Sequence, residues 1–494
     1  MARCSLKEKI QILSGYDAWY THKIERLNIP SLKMSDGPNG VRGDGKSGKS
    51  SACFPCAISV GSTWNMELVN ELGQELGNEA KVKGVDVLLG PTINIHRHPL
   101  GGRHFECFSE DPFLTGKIAI DYVSGVQSRE VAACLKHFVG NDTEFERYTV
   151  SSNIDEKTLR EIYLLPFEMA IKEANAQVVM SAYNKLNNIY CSSDENLLIN
   201  ILKNEWGFDG YVVSDWGAAT ETIENALGGL DLEMPGPAKT WGENLLKAVN
   251  EQKISIEMID DKVKRILNVL NFSKTYENLD NQSEGVVNSS SQRQLLKRAA
   301  QEGMVLLKNE NILPMKKDIS SIGIIGPNGT KAQIIGGGSA TSKGCHTYRY
   351  LPEINKSLTK EDGFLVEYFN VTKDGDDFIS SKVLTGSKFW IFEGFAKDII
   401  GGDEKPDILV KFSCTYTPNI TGEHNFEIFA IGKSKLLIDE TEIIDNWTNT
   451  SPGDAFFAHG TTSKRGGKLL NKNKSYKIEI QYKFEGNFPA IYIG

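Results

Sequence analysis

Asp215 is the side chain in this sequence with the clearest potential for chemistry. It ends the apolar run Tyr211–Ser214 and stands directly before the indole of Trp216. A run of β-forming residues bounded by Gly210 and Gly217 predicts a buried strand. Because barrel enzymes keep their reacting groups at the carboxyl ends of strands, Asp215 is a candidate catalytic carboxylate.

Polar side chains follow four other apolar runs in the same way. These further candidates are Asp36, Arg97, Arg103, Lys136, His137 and Tyr183. A carboxylate, cations, an imidazole and a phenol that converge on one barrel mouth would hydrogen-bond a ring of hydroxyl groups, as in a sugar pocket. Any one of these residues alone could be a paired surface charge or a satisfied core group. That alternative gives no reason for strand-end placement in five separate units.

The elements that must position these residues alternate between strand and helix from residue 29 to about residue 270. Strands are predicted at 85–89, 132–136, 178–181 and 211–214, and helices at 66–82, 158–173 and 195–206. The pattern around Thr158 and Glu161 predicts a capping box at the start of the second helix. Such alternation implies parallel strands joined by helical crossovers. Residues 1–275 are therefore predicted to form a TIM-like (β/α)8 barrel, for which about 250 residues is the usual size.

The remaining chain changes its pattern twice. Residues 276–293 are rich in Asn and Ser, which is typical of a linker. Residues 294–360 begin a second α/β domain, with a helix predicted at 294–307 and a strand followed by a turn at 322–329. In residues 361–494, strands are predicted at 408–415, 424–430, 436–439 and 476–482 with no helix between them. This last part is predicted to be a mostly antiparallel β domain.

Composition limits the partners and the compartment. A net charge of -9 disfavours nucleic acid or an anionic membrane as the main partner, since either requires a basic surface. No apolar stretch is long enough to span a bilayer, and the first residues do not resemble a secretion signal. Eight cysteines in 494 residues are too sparse for a disulfide scaffold. We expect a cytoplasmic protein with a small carbohydrate ligand and no cofactor. The composition is also compatible with a homo-oligomer.

A metal site is one alternative reading of the residues around the second strand. The candidate ligands are His96, His98, His104 and Glu106. Arg97 and Arg103 lie among them and would repel a divalent cation, so no metal is predicted.

Two further motifs are weak. Cys53 and Cys56 have the two-residue spacing of redox and zinc motifs, but no second pair accompanies them. The glycines at 323, 326 and 329 lack the Gly-x-Gly-x-x-Gly spacing of dinucleotide loops. Neither motif predicts a function here.

Several segments resemble the glycoside hydrolases of family 3, and within that family the fungal β-glucosidases. In the barrel they are 35–43 (SDGPNGVRG), 99–106 (PLGGRHFE), 136–142 (KHFVGND), 180–184 (MSAYN) and 213–216 (VSDW). Segments 325–328 (IGPN) and 336–340 (GGGSA) resemble the second domain of the family. The part after residue 364 resembles the protective-antigen-like β module that interrupts the second domain of some yeast β-glucosidases. The resemblance therefore implies a barrel followed by the start of an α/β sandwich domain that a β-sandwich insertion interrupts.

The resemblance also assigns roles. Asp215 is implied to be the nucleophile of a retaining β-glucosidase. The residues implied to bind the sugar are Asp36, Arg97, Arg103, Lys136, His137, Met180, Tyr183 and Trp216. Relatives that act on N-acetylglucosamine carry a histidine where this chain has Asn141 and Asp142. A terminal β-D-glucosyl residue of a short oligosaccharide or glucoside is therefore the expected substrate.

The second catalytic group is not found among these residues. In the family, the general acid/base is a glutamate of the second domain that follows the inserted module, and no glutamate in residues 1–494 can be matched to it. We therefore expect an incomplete chain, weak or inactive as given, because general acid/base catalysis contributes about 10²- to 10⁴-fold. The alternative is a non-catalytic carbohydrate-binding protein derived from this family.

Overall fold

The computed structural model describes residues 3–44, 49–277, 284–315, 334, 336–341, 364–372, 375–384, 388–390, 408–448, 450–453, 460–484 and 490–493. The chain divides into two compact units, residues 1–350 and 351–494. The predicted strand and glycine pattern at 322–329 lie outside the described residues.

Five parallel strands form the sheet at the centre of the first unit. They are β1 (Met34–Asp36), β2 (Val87–Leu89), β3 (Ala132–Phe138), β4 (Val178–Ser181) and β5 (Tyr211–Ser214). In space they follow one another in chain order. Every residue of all five strands is buried, because helices cover a parallel sheet from outside while side chains fill its interior. The strands predicted at 178–181 and 211–214 are confirmed residue for residue.

Three short segments close this sheet into a barrel. Their bridges are Val213–Leu232 and Ser14–Glu233, both parallel, and Gly15–Thr21 and Tyr20–Lys33, both antiparallel. The predicted TIM-like barrel is thus confirmed, with one difference: the segment at residues 20–21 runs antiparallel to its neighbours. Only a tight turn separates it from residue 15, whereas a parallel crossover needs a dozen or more residues.

Helices surround the barrel, and one further helix begins the segment that follows the barrel in the chain. They are Leu6–Ile12, Ala57–Gly61, Met66–Val82, Pro112–Gln127, Glu156–Thr158, Leu159–Leu164, Leu165–Ala174, Asn196–Glu205, Ile223–Gly228, Glu243–Asn250, Ile256–Phe272 and Ser290–Glu302. Short helical turns occur at Glu25–Leu27, His104–Glu106, Cys191–Ser193, Thr275–Glu277 and Gly338–Ala340. A small outer sheet joins Ser151–Ser152, Lys185–Leu186 and Ile189–Tyr190. No described helix combines the length and the apolar character required to cross a bilayer.

Two helix starts differ from the predictions, and both differences come from capping. Asp155, not Thr158, caps the helix after β3: its Oδ1 accepts a hydrogen bond from the Thr158 amide at 3.0 Å, while Thr158 already has helical dihedral angles. The predicted capping box at Thr158 is therefore wrong. The helix predicted at 294–307 begins instead at residue 290, because Ser289 accepts a hydrogen bond from the Gln292 amide at 3.0 Å.

The second unit is an antiparallel β sandwich. Its strands are Phe364–Thr372, Gly375–Leu384, Lys388–Trp390, Ile408–Tyr416, Gly422–Ala430, Gly432–Ile438, Thr441–Asn446, Lys464–Leu470, Tyr476–Phe484 and Ala490–Ile493. They form one sheet of six strands and one of four. Side chains of both sheets share a single apolar core, to which Phe412 and Ile428 belong. The prediction of a β domain is confirmed.

Candidate functional site

Asp215 lies immediately after β5 and is held there by its own backbone. Its amide donates to the carbonyl of Ser181 on the neighbouring strand at 3.1 Å, and its carbonyl accepts from the amide of Ala218 at 2.8 Å. The side chain is also oriented, since Oδ1 accepts a hydrogen bond from the Trp216 amide at 2.7 Å. The residue is only 7% exposed, so this carboxylate has a fixed position in a nearly closed site.

The second oxygen of Asp215 is in a different situation. Within the described residues, Oδ2 is buried and accepts no hydrogen bond. The nearest side-chain charge partner is His137, whose Nε2 lies 3.6 Å away, too far for a hydrogen bond. Burial, reinforced by the nearby charges of Arg103, Lys136 and Arg147, holds the pKa of His137 well below its ordinary value. The imidazole is therefore neutral.

Asp36 ends β1 and forms a second carboxylate centre. Lys136 Nζ lies 3.7 Å from its Oδ1, and Arg42 Nη1 lies 3.5 Å from its Oδ2. Burial raises the pKa of Asp36, and the charges of Lys136 and Arg42 oppose that shift. Both separations exceed a good hydrogen bond, so Asp36 and Lys136 retain capacity to bind the hydroxyls of a ligand.

Arg103 is anchored by a buried ion pair. Its Nε bonds to Oε1 of Glu106, and its Nη2 donates to the hydroxyl of Ser339 at 3.2 Å. Although burial opposes ionisation of Glu106, the charges of Arg103 and Lys136 lower its pKa. Ser339 belongs to the segment that resembles the second domain of the family, so that segment supports a residue of the barrel mouth.

Aromatic side chains form the other wall of the site. The Tyr183 hydroxyl donates to the carbonyl of Trp216 at 3.2 Å, and the Arg147 guanidinium lies 4.3 Å from the centre of the Tyr183 ring. The Trp216 indole donates to the carbonyl of Ala18 at 2.8 Å and packs against Trp19, with ring centres 5.6 Å apart. These contacts hold an indole face beside Asp215.

For two of the predicted site residues, the described contacts do not include Asp215. Arg97 is exposed and stands 5.9 Å from the centre of the Tyr163 ring. Met180 is buried within β4, opposite Val213 of β5. Among the described residues, neither makes an ion pair or hydrogen bond with Asp215. Asp36, Arg103, Lys136, His137, Tyr183 and Trp216 do come together with Asp215.

His96, one of the candidate metal ligands near β2, is hydrogen-bonded to the backbone. His96 Nε2 lies 3.0 Å from the carbonyls of both His104 and Cys107, which makes that nitrogen a donor and leaves it no lone pair for a cation. In the described ranges, no group of three or more His, Cys, Asp or Glu side chains is placed to hold a metal ion.

Cys53, one of the two cysteines with the spacing of redox and zinc motifs, is hydrogen-bonded to the backbone. Its thiol donates to the carbonyl of Ile334 at 3.0 Å.

Some residues of the site were not predicted from the sequence. Arg42 and Ser339 lie in segments that resemble the family, and their positions there could have identified them. Arg147 and Asn94 carry no such signal. Asn94 accepts from the His137 amide at 2.8 Å across 43 residues of sequence, and only the fold brings these two residues together.

Taken together, the described residues provide a buried carboxylate with a free oxygen, a neutral imidazole beside it, and a lysine and a second carboxylate with spare hydrogen-bonding capacity. This combination is suited to attack by a carboxylate on a carbon atom of a polyhydroxylated ligand.

The chain was compared with known families and proteins. Residues 5–269 match the N-terminal domain of glycosyl hydrolase family 3, and residues 392–487 match the PA14 domain. A β-glucosidase of Rhizobium radiobacter is 41% identical over 508 residues, covering 97% of this chain and 61% of the relative. A probable β-glucosidase I of Emericella nidulans is also 41% identical, over 504 residues, covering 97% of this chain and 60% of the relative.

Solved structures give the same result. The β-glucosidase of Kluyveromyces marxianus in complex with glucose aligns with a TM-score of 0.88 and 31% identity. The alignment covers 100% of this chain and 64% of that one. This chain therefore spans about three fifths of the length of the curated relatives that it matches.

Proposed function

The chain belongs to glycosyl hydrolase family 3. We propose that it is part of a retaining β-glucosidase and that Asp215 is the nucleophile of that enzyme. The observation that carries this proposal is the asymmetry of the Asp215 carboxylate. Oδ1 is held by the Trp216 amide, whereas Oδ2 is buried and accepts no hydrogen bond from the described residues. An oxygen in that state keeps its lone pairs for an incoming electrophile.

The proposed reaction proceeds in two displacements. Oδ2 of Asp215 attacks the anomeric carbon, the bond from that carbon to the aglycone oxygen breaks, and the departing oxygen takes a proton from a general acid. Water then gives a proton to the conjugate base of that general acid and attacks the same carbon, which breaks the ester bond and releases Asp215. The two inversions together give retention. Arg103 and Arg147 stabilise the ionised carboxylate before it attacks and again after it is released. Although burial opposes the ionisation of both arginines, nearby negative charges, that of Asp215 among them, raise their pKa values.

The general acid must be a second carboxyl group, about 5 Å from the first in retaining enzymes. We propose that it is a glutamate of the family's second domain outside residues 1–494. The other carboxylates of the site have different roles: Glu106 is paired with Arg103 and Glu144 with Arg147, and Asp36 is proposed below to hold glucose hydroxyls.

The proposed substrate is a terminal, non-reducing β-D-glucosyl residue of a short oligosaccharide or glucoside. The relatives bear the name β-glucosidase, and the Kluyveromyces structure holds glucose. In this chain, Asp36, Lys136, His137 and Arg103 would hold the glucose hydroxyls, and the indole of Trp216 would contact the ring or its aglycone.

A covalent trap tests the nucleophile without requiring the general acid. A 2-deoxy-2-fluoro-β-glucoside with a dinitrophenolate leaving group needs no protonation of the departing oxygen, so we expect the present chain to form a glycosyl ester. Mass spectrometry of the digested protein should place the adduct on Asp215. The Asp215→Ala variant should form none, whereas Asp209→Ala, at an exposed position of the same segment, should react like the wild type.

Other results would exclude parts of the proposal. An adduct on a different carboxylate, or an undiminished adduct in the Asp215→Ala variant, would exclude Asp215 as nucleophile. Saturable binding of glucose with no adduct in the wild type would favour the non-catalytic carbohydrate-binding protein instead.

A further inference from the structure

Asn94 makes an unusual set of contacts with a single residue of the site. Its side-chain Nδ2 donates to the backbone carbonyl of His137 at 2.8 Å. Its Oδ1 accepts from the backbone amide of His137 at 2.8 Å and lies 3.1 Å from the imidazole Nδ1 of the same residue. Asn94 is 5% exposed and His137 is 1% exposed, so bulk water has almost no access to these bonds.

The two backbone bonds determine which way the amide of Asn94 points. A backbone N–H can only donate and a carbonyl can only accept. Oδ1 must therefore face the His137 amide, and Nδ2 must face the carbonyl. If Oδ1 and Nδ2 were exchanged, a donor would face a donor and an acceptor would face an acceptor. The exchanged orientation is therefore excluded, and the usual ambiguity of an asparagine side chain does not arise here.

This orientation determines the tautomer of His137. The amide oxygen of Asn94 can only accept, so the imidazole nitrogen 3.1 Å from it must carry the proton. Burial disfavours a second proton on the same ring, and the cations Arg103, Lys136 and Arg147 disfavour it further. The ring is therefore protonated on Nδ1 alone, and its Nε2 has a lone pair.

That lone pair faces Asp215. Nε2 lies 3.6 Å from Oδ2, and two acceptors at that distance do not attract each other. The opposite tautomer would place an N–H against the carboxylate, and a movement of about half an ångström would then complete a charge-assisted hydrogen bond to Oδ2. The Tyr183 hydroxyl donates to the Trp216 carbonyl at 3.2 Å, and burial together with the nearby carboxylate of Asp215 raises its pKa, so this phenol stays protonated beside the site.

We propose that Asn94 is a positioning residue of the site: by keeping the proton of His137 on Nδ1, it leaves Oδ2 of Asp215 free to attack. Nε2 of His137 is then an acceptor, so a ligand hydroxyl must donate its hydrogen to that nitrogen. The consequence for the rate rests on the proposed function, whereas the tautomer does not.

Nitrogen-15 NMR of the full chain with labelled histidine reads the tautomer directly. The sequence has eight histidines, and the His137→Gln variant identifies the signals of this one by their loss. We expect Nδ1 of wild-type His137 to have the shift of a protonated nitrogen and Nε2 that of an unprotonated one. A protonated Nε2 in the wild type would overturn the proposal without any variant.

Three variants test the cause. In Asn94→Ala, the proton of His137 should move to Nε2, wholly or in part, because that position faces a carboxylate. In Asn94→Asp, which keeps an acceptor oxygen near Nδ1, the Nδ1 proton should stay. Asn184→Ala is the matched control: Asn184 is also buried and donates to the Val139 carbonyl at 3.1 Å in the same loop, so its loss should leave the tautomer unchanged.

The rate of the first displacement tests the consequence. With a dinitrophenyl β-glucoside, Asn94→Ala should form the glycosyl ester roughly 10- to 100-fold more slowly, the factor that corresponds to a hydrogen bond to a charged oxygen. Asn184→Ala should react within a few-fold of the wild type. An unchanged tautomer in Asn94→Ala, a tautomer shift in Asn184→Ala, or a tautomer shift with no loss of rate would each overturn the proposal. An adduct on a residue other than Asp215 would overturn the proposed function and leave the tautomer assignment intact.

Discussion

The barrel and the β sandwich differ in what they bury. In the described part of the first unit, buried side chains include the charged or titratable groups Asp36, Glu106, Lys136, His137 and Asp215, together with others remote from the site. In the described part of the sandwich, the buried polar residues are Ser434, Asn446 and Thr461, which carry no charge. Burying charges is unfavourable unless they are paired or serve a ligand. The chemistry of this chain is therefore concentrated in the barrel.

The same difference appears in single strands. All four residues of β5 are buried, because one face of a barrel strand meets the helices and the other fills the interior. In the sandwich strand Gly432–Ile438, buried residues alternate with partly exposed ones. A strand buried on both faces has no solvent side for polar groups, so they gather at its carboxyl end, where Asp215 lies.

Removing a buried charge should have the largest effect on stability. Asp231, 0% exposed, bonds to Lys203 Nζ at 2.7 Å and to the Val212 amide at 2.8 Å. Asp231→Ala would leave Lys203 and the nearby Lys262 buried without their counter-charge, and it should lower the free energy of unfolding by about 3–5 kcal/mol. Hydrogen exchange of peptides that contain β5 measures this loss.

The matched change in the sandwich is Arg465→Ala. Arg465 pairs with Glu427 at 3.0 Å, but its side chain is 78% exposed, and exposed pairs contribute little. Hydrogen exchange of the strand Lys464–Leu470 should hardly change. If the two variants lost similar stability, the contrast in buried charge between the two units would have no energetic meaning.

The sign of the pH dependence should also differ between the units. Burial raises the pKa of Asp142 in the barrel to about 6, against opposing contributions from Tyr163 and Arg97. Because the folded protein holds this proton more tightly than the unfolded chain, the associated stability is present at low pH and is lost as the pH rises from about 4 to 6. Asp142→Asn should therefore gain stability relative to the wild type over that interval, by at most about 3 kcal/mol.

Asp445 in the sandwich should behave in the opposite way. Hydrogen bonds from Thr448 and from the Trp447 amide lower its pKa. Its contribution to stability is present at neutral pH and is lost as the pH falls through the lowered value. Asp445→Asn should thus be less stable than the wild type at neutral pH and equal to it in acid. Denaturation of each unit from about pH 2 to 8 would test both variants, and parallel curves would contradict the assignment.

Glycine substitutions should give smaller effects than the loss of the Asp231 charge. A Cβ on Gly210, just before β5, would lie 2.1 Å from the Gln177 carbonyl oxygen, so Gly210→Ala should cost about 1–2 kcal/mol. A Cβ on Gly422, at the start of a sandwich strand, would meet nothing within 4 Å. Gly422→Ala should leave stability unchanged or raise it by up to about 1 kcal/mol. Thermal denaturation compares the two, and a larger loss for Gly422→Ala would show that close backbone packing is not special to the barrel.

Local patterns were sufficient for much of the fold. The helix Met66–Val82 and the strands β4 and β5 agree with the predictions at both ends, because their apolar periodicity and their boundary residues lie within the elements themselves. The helix start at residue 158 was wrong because Asp155, a better cap three residues earlier, competes for the same amide. The antiparallel segment at residues 20–21 could not be recognised, since each of its pairings is a single bridge.

The sequence by itself determined the element types, the polar residues at the strand ends and the family of the chain, since all of these follow from neighbouring residues or short motifs. Only the tertiary structure decided how those residues act on one another. It brings Lys136 to Asp36 and places Asn94 against His137, pairs that lie far apart along the chain. The ionisation of a side chain and the position of its proton depend on burial and on neighbours in space, and the closure of the barrel supplies both.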